Sequence, residues 1–158
     1  MTGRDRDESG RPRNARPRDE LGRPLPTGSH GVARIPDDLQ LSAVDTLAYA
    51  QGLLDRGLAF NAHEVLEAAW KNGPDDERPL WQGLAQLTVG ITHVQRGNAK
   101  GALTVLRRAS VRLAQIDRPA PYSVDVAGLI DYAGSLADEV AGQADVTPQR
   151  LRPALRSV

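Results

Sequence analysis

No cysteine occurs in the 158-residue chain. That excludes disulfides, thiolate catalysis, Cys-ligated zinc and iron–sulfur clusters, so any metal would have to be held by His or carboxylate. Aromatic residues make up 4% of the chain, which leaves little material for a large interface built on aromatic hot spots. Net charge is absent too. The 20 Lys and Arg balance 20 Asp and Glu, which removes the overall field that would draw the chain to nucleic acid or to an anionic membrane. Long apolar runs are missing: the longest charge-free stretch, residues 79–95, is too polar to cross a bilayer, and the first thirty residues carry no apolar core. A soluble, cytoplasmic protein without membrane association is expected. The 40% of hydrophobic side chains suffices for one domain of ordinary size.

The apparent neutrality hides a division. Residues 1–34 hold eight Arg, five acids, four Pro and five Gly, giving this stretch a charge of plus three. They have too little apolar surface to offset the entropy of ordering, and read as a disordered Arg/Pro/Gly-rich arm. From Ile35 onward apolar residues recur at spacings of three and four, and strand-like alternation is missing. Residues 35–142 therefore read as an all-α domain, a single compact bundle of about five helices joined as antiparallel hairpins. A first helix is expected from Ser42, capped with help from Asp45, to Gly57. A second is expected after an Asn61 cap and ends at Gly73-Pro74. The third opens at Pro79 and runs to Arg96, and Gly97-Asn98 supplies a left-handed stop and the next cap. A fourth helix precedes Pro119-Ala120-Pro121, and a fifth spans about 123–141. Residues 143–158, with Pro148 and Pro153, read as an irregular tail that packs through Leu151 and Leu155 or frays.

The third helix lacks Asp, Glu, Lys and Arg between Pro79 and Gln95, so it should be central. Leu80, Leu84, Leu87, Ile91 and Val94 form one stripe, with Gln82, Gln86 and His93 in an arc opposite. Gly83 and Gly90, seven apart, would admit a neighbouring helix at close range. Enclosed amides and imidazole need partners, because each unsatisfied group costs about 1–3 kcal/mol. The second helix offers them: His63 and Glu67 stand four apart, with Trp70 near the same edge. The candidate site is thus His63, Glu67, Trp70, Gln82, Gln86 and His93.

The run Phe60-Asn61-Ala62-His63-Glu64-Val65-Leu66-Glu67-Ala68-Ala69-Trp70, followed by Trp81-Gln82-Gly83-Leu84-Ala85-Gln86-Leu87, His93, Arg96-Gly97-Asn98 and Gly101-Ala102, resembles a bacterial helical family catalogued as domain of unknown function 309. The resemblance covers roughly residues 40–115. It implies a small all-helical bundle and no established activity.

Three functional readings follow. The first is a non-catalytic module that binds a small ligand or a protein partner beside a buried His/Glu/Gln cluster. The second is a metal-dependent hydrolase in which His63, Glu67 and His93 hold a divalent ion such as zinc or manganese, with Glu64 as nominal base. Against it, Glu64 lies about 100° around the helix from His63, and Glu67 stands where a zinc-protease motif needs a second His. The third is a repeat-like scaffold: residues 97–109 look like half of a tetratricopeptide unit able to present a groove to a peptide or to a second copy as a homodimer, although no second copy at a fixed period is evident. A basic stripe, Arg96, Lys100, Arg107, Arg108 and Arg112, reads as a solvated face, since no interleaved aromatics or phosphate loop point to nucleic acid.

Overall fold

The computed structural model describes residues 18–25, 31–32, 35–36 and 38–157. Five helices, α1 (Ala43–Asp55), α2 (Ala59–Asn72), α3 (Arg78–Gln95), α4 (Ala99–Ala114) and α5 (Val126–Ala141), pack each against the next in chain order. They are the all-α bundle expected. Among the described residues no helix is long and apolar enough to cross a membrane. Residues 1–17, 26–30 and 33–34 of the expected arm lie outside the described set. Within it, residues 18–25 are seated on the bundle: the Arg96 side chain donates to the Leu21 carbonyl at 2.8 Å, and the Arg18 guanidinium lies 5.1 Å from the centre of the Phe60 ring.

The helix ends follow from local chemistry. The Ser42 hydroxyl accepts the Asp45 amide at 3.1 Å, capping α1. At the other end Gly57, at φ +76°, lets Leu58 N–H reach the Leu53 carbonyl and Gly57 N–H the Leu54 carbonyl, a Schellman turn. That turn hands the chain straight to α2, whose first residue is Ala59, not one after Asn61. Asn61 is therefore buried inside the helix instead of capping it, and the N-cap, Leu58, has no side-chain bond. Gly97, at φ +74°, repeats the device: Asn98 N–H donates to the His93 carbonyl and Gly97 N–H to the Val94 carbonyl. Here Asn98 does cap, accepting the Gly101 amide at 3.1 Å. The last helix begins at Val126, three residues later than expected, because Asp125 caps it through the Gly128 amide.

These matching turns expose a repeat that the sequence reading missed. Arg56-Gly57, Ala59, Ala62, Val65-Leu66 and Ala69 recur forty residues later as Arg96-Gly97, Ala99, Ala102, Val105-Leu106 and Ala109. The helices before them also correspond, with Leu47 and Ala50 of α1 matching the buried Leu87 and Gly90 of α3. The chain thus contains two related hairpins, α1–α2 and α3–α4.

The centre of the bundle is α3. It buries Leu80, Trp81, Leu84, Leu87, Thr88 and Ile91 among others, with the two threonine hydroxyls at 88 and 92 bonded back to the helix's own carbonyls. The two glycines bring α4 in close. A Cβ at Gly83 would stand 2.9 Å from Leu113 Cδ2, and one at Gly90 would stand 2.6 Å from Leu106 Cδ2 and 3.4 Å from the Leu106 backbone nitrogen. The rising and falling numbers show that α3 and α4 run antiparallel. The C-terminal segment then straps the bundle. Leu155 is fully buried, its N–H donates to Gln51 Oε1 of α1 at 2.8 Å, and its carbonyl accepts the Asp125 amide at the start of α5.

Gly90→Ala and Gly52→Ala share the same intrinsic gain in helix propensity, and beside Gly52 there is open space. Gly90→Ala should therefore unfold with a free energy lower than Gly52→Ala by about 1–3 kcal/mol, the cost of crowding a packed core. Equal urea-unfolding free energies for the two variants would mean that α4 does not approach α3 as described.

Candidate functional site

The polar residues singled out from the sequence fall into three separate groups. On α2, His63 Nε2 stands 3.0 Å from Glu67 Oε2, and Lys71 Nζ stands 3.0 Å from Glu67 Oε1. The spacing of four makes this ladder local to one helix. The hydrogen bond from His63 holds the Glu67 carboxyl down at about 2; partial burial opposes this and Lys71 adds to it. His63 packs against the Phe60 ring, 5.6 Å between centres, and its Nδ1 is buried without a hydrogen-bond partner among the described residues. Trp70, three residues beyond Glu67 on the same helix, has the Arg78 guanidinium 6.0 Å from the centre of its ring.

On α3, Gln82 and Gln86 find a partner on α4. Arg112 Nη1 donates to Gln82 Oε1 at 2.9 Å and Arg112 Nε donates to Gln86 Oε1 at 3.1 Å, one guanidinium bridging two successive turns. Farther along, the Asn98 amide donates to His93 Nδ1 at 3.1 Å while Asn98 Oδ1 caps α4. Burial, with Arg96 adding to it, lowers the His93 pKa, which suits an unprotonated Nδ1 that accepts. Gln82, Gln86 and His93 are half-buried, and their company comes from α4 and the α3–α4 turn. No hydrogen bond joins His63 or Glu67 to Gln82, Gln86 or His93 among the described residues. The physical reason is angular: the glycine-notched flank of α3 that carries the glutamines faces α4.

This separation bears on the metal reading. Among the described residues, no three His, Asp or Glu side chains are grouped so as to hold a metal ion. His63, Glu67 and His93 are therefore not a three-ligand set.

A different constellation lies at the start of α3. Glu77 closes the short 3-10 turn Asp75–Glu77 and precedes α3. The Trp81 indole donates to Glu77 Oε1 at 3.2 Å, and the Tyr122 hydroxyl donates to Glu77 Oε2 in a short hydrogen bond. The two rings stack with centres 6.3 Å apart. That bond from the hydroxyl, helped by some burial and by the Glu77 and Asp76 charges, raises the Tyr122 pKa, so the phenol remains a donor. Tyr122 and Ser123 both sit in the left-handed region, at φ +61° and +59°, where bulky residues are rare. The tail holds them there: Arg156 Nε donates to the Tyr122 carbonyl at 2.7 Å and Ser157 N–H to the Ser123 carbonyl at 2.9 Å. Beside this group opens a cavity of about 380 Å³, walled by residues 39–41, by Val65, Ala68 and Ala69 of α2, and by Glu77, Trp81 and Tyr122.

Sequence reasoning saw Trp81 but missed Glu77 and Tyr122. The spacing of four between Glu77 and Trp81 is a legible signal. Tyr122 is 45 residues from Glu77 in a non-helical connector, and nothing in a periodic pattern marks it.

Residues 47–105 match the family model described as Domain of unknown function (DUF309). The resemblance read from the sequence therefore holds. His63, Glu67, Trp70, Glu77, Trp81, Gln82, Gln86 and His93 all fall within the DUF309 match, whereas Arg112 and Tyr122, which complete the contacts of Gln82, Gln86 and Glu77, lie beyond it. The chain is also 31% identical over 84 residues to a protein of Bacillus subtilis (strain 168) named Uncharacterized protein YpuF. That similarity covers 51% of this chain and 48% of YpuF, so the chain spans about half the length of this relative. No solved structure matches the chain.

Two measurements test the geometry. In double-mutant cycles, Gln82→Ala and Arg112→Ala should couple by about 0.5–1.5 kcal/mol, while Gln86→Ala and His63→Ala should add within about 0.5 kcal/mol; strong coupling of the second pair would restore the single cluster. Because folding depresses the Glu67 pKa, the stability it confers is present above pH 5 and drains away as pH falls towards about 2. Glu67→Gln should therefore show a shallower loss of stability between about pH 5 and pH 2 than the parent chain in acid-dependent urea melts. Parallel curves would rule out the His63–Glu67–Lys71 ladder as the source.

Proposed function

We propose that this chain is a non-catalytic helical module that binds a small ligand in the cavity beside Glu77, Trp81 and Tyr122. One observation carries the reading: a preformed concavity of mixed apolar and polar lining holds Glu77, whose two carboxylate oxygens are fixed by Trp81 and Tyr122. Small-molecule sites have that character, and a volume of about 380 Å³ lies within the usual range of about 300–1,000 Å³. The wall is pre-organised, since Trp81 is buried in the core and Tyr122 is pinned by the C-terminal segment, so binding need not order them. In this reading the polar residues on the other faces serve the architecture: Gln82 and Gln86 set the register of α3 against α4 through Arg112, and His93 orients the Asn98 cap.

Ala69 lines the cavity and is half-buried, so a larger side chain there fills the space. In a titration of the ¹⁵N-labelled protein with a fragment library of small apolar molecules bearing one polar group, amide shifts should concentrate in residues 39–41, the last turn of α2 and Trp81. Ala69→Phe should abolish them while retaining the fold. Shifts that arise elsewhere, or that survive the filling substitution, would count against the cavity as the binding site.

A further inference from the structure

The carboxylate at the floor of this cavity has a specific electrostatic character. Glu77 has a neutral donor on each oxygen, the Trp81 indole on one and the Tyr122 hydroxyl on the other, and it takes part in no ion pair among the described residues. Arg78, next in sequence, is turned away to Asp75 at 2.8 Å. Among the described residues, no Lys or Arg lines the cavity. Arg156 approaches Tyr122 only through its backbone carbonyl, and the charges that act on the Tyr122 hydroxyl, Glu77 and Asp76, are both negative.

Among the described residues the cavity therefore presents one negative charge and no protein cation, with Leu39, Leu41, Val65, Ala68 and Ala69 supplying its apolar side. Each carboxylate oxygen that accepts one hydrogen bond keeps a second acceptor direction. A neutral ligand would leave the charge uncompensated and an anion would be repelled. A cation gains a charge-assisted hydrogen bond to the Glu77 carboxylate. We infer that the cavity is a receptor for a small aliphatic amine, its ammonium on the Glu77 carboxylate and its hydrocarbon body against Val65, Ala68, Ala69 and Leu41. This rests on the ligand-binding reading above and goes further, because it names the ligand class and the residue that selects it.

The probes are n-pentylamine, protonated at neutral pH, and n-pentanol, its neutral counterpart of the same length. The reporter is the Trp81 indole N–H resonance, assigned by its persistence in Trp70→Phe, because that proton sits on Glu77. The amine should shift it saturably with a Kd about tenfold below that of the alcohol, the size expected of a partly solvated charge-assisted bond. Glu77→Gln should remove the preference. Tyr122→Phe, which leaves the carboxylate in place, should retain it and so guards against a fold defect in the Gln variant. Equal affinity for amine and alcohol overturns the amine assignment but leaves the cavity as a ligand site. A lack of response to either probe overturns both readings. An amine preference that survives Glu77→Gln removes Glu77 from the role.

Discussion

The close approach of α3 and α4 is the contact on which the rest of the structure depends. Two glycines seven residues apart remove the side chains that would hold the helices off, and Leu113 and Leu106 enter the space left. A helix without charge between Pro79 and Gln95 has no solvent face to defend, so it can be covered on this flank as well as on its leucine stripe. Its remaining polar groups must then be satisfied inside the bundle, and the helix brought close by the glycines supplies Arg112 to Gln82 and Gln86. Packing and polar satisfaction are thus one constraint expressed twice.

The same arrangement sets the position of the cavity. Because α3 is anchored along its length, its first turn is a rigid platform for Trp81, and Glu77 is fixed just before it. The connector between α4 and α5 brings Tyr122 back over that platform, and the C-terminal segment, tied to α1 through Gln51 and to the connector through Arg156, keeps it there. A wall made from elements far apart in the chain is costly to form and, once formed, needs little rearrangement to receive a ligand.

Much of the fold was legible in the letters. Ser42, Gly57, Pro79, Gly97 and Asn98 act through their own backbone geometry or a bond three residues away, so their roles do not depend on distant partners. Asn61 was misread for the same reason that made it attractive, its preference for caps; the Schellman turn at Gly57 had already begun the helix. The forty-residue repeat was hidden because few positions are shared, and those are small residues whose spacing becomes telling only when two matching turns are seen.

The candidate site was legible only in kind. Sequence by itself determined that the chain is helical, that α3 is interior, and that its glutamines and histidine require partners, because periodicity, charge and hydrogen-bonding capacity are properties of the residues themselves. Which partners they take depends on the rotation of each helix about its axis and on which neighbour covers which flank, quantities that no local pattern encodes. Tertiary structure alone therefore separated His63 and Glu67 from Gln82, Gln86 and His93, and brought Tyr122 onto Glu77 across 45 residues of chain. Side-chain company across helices is a matter of geometry in space, whereas helix identity is a matter of geometry along the chain.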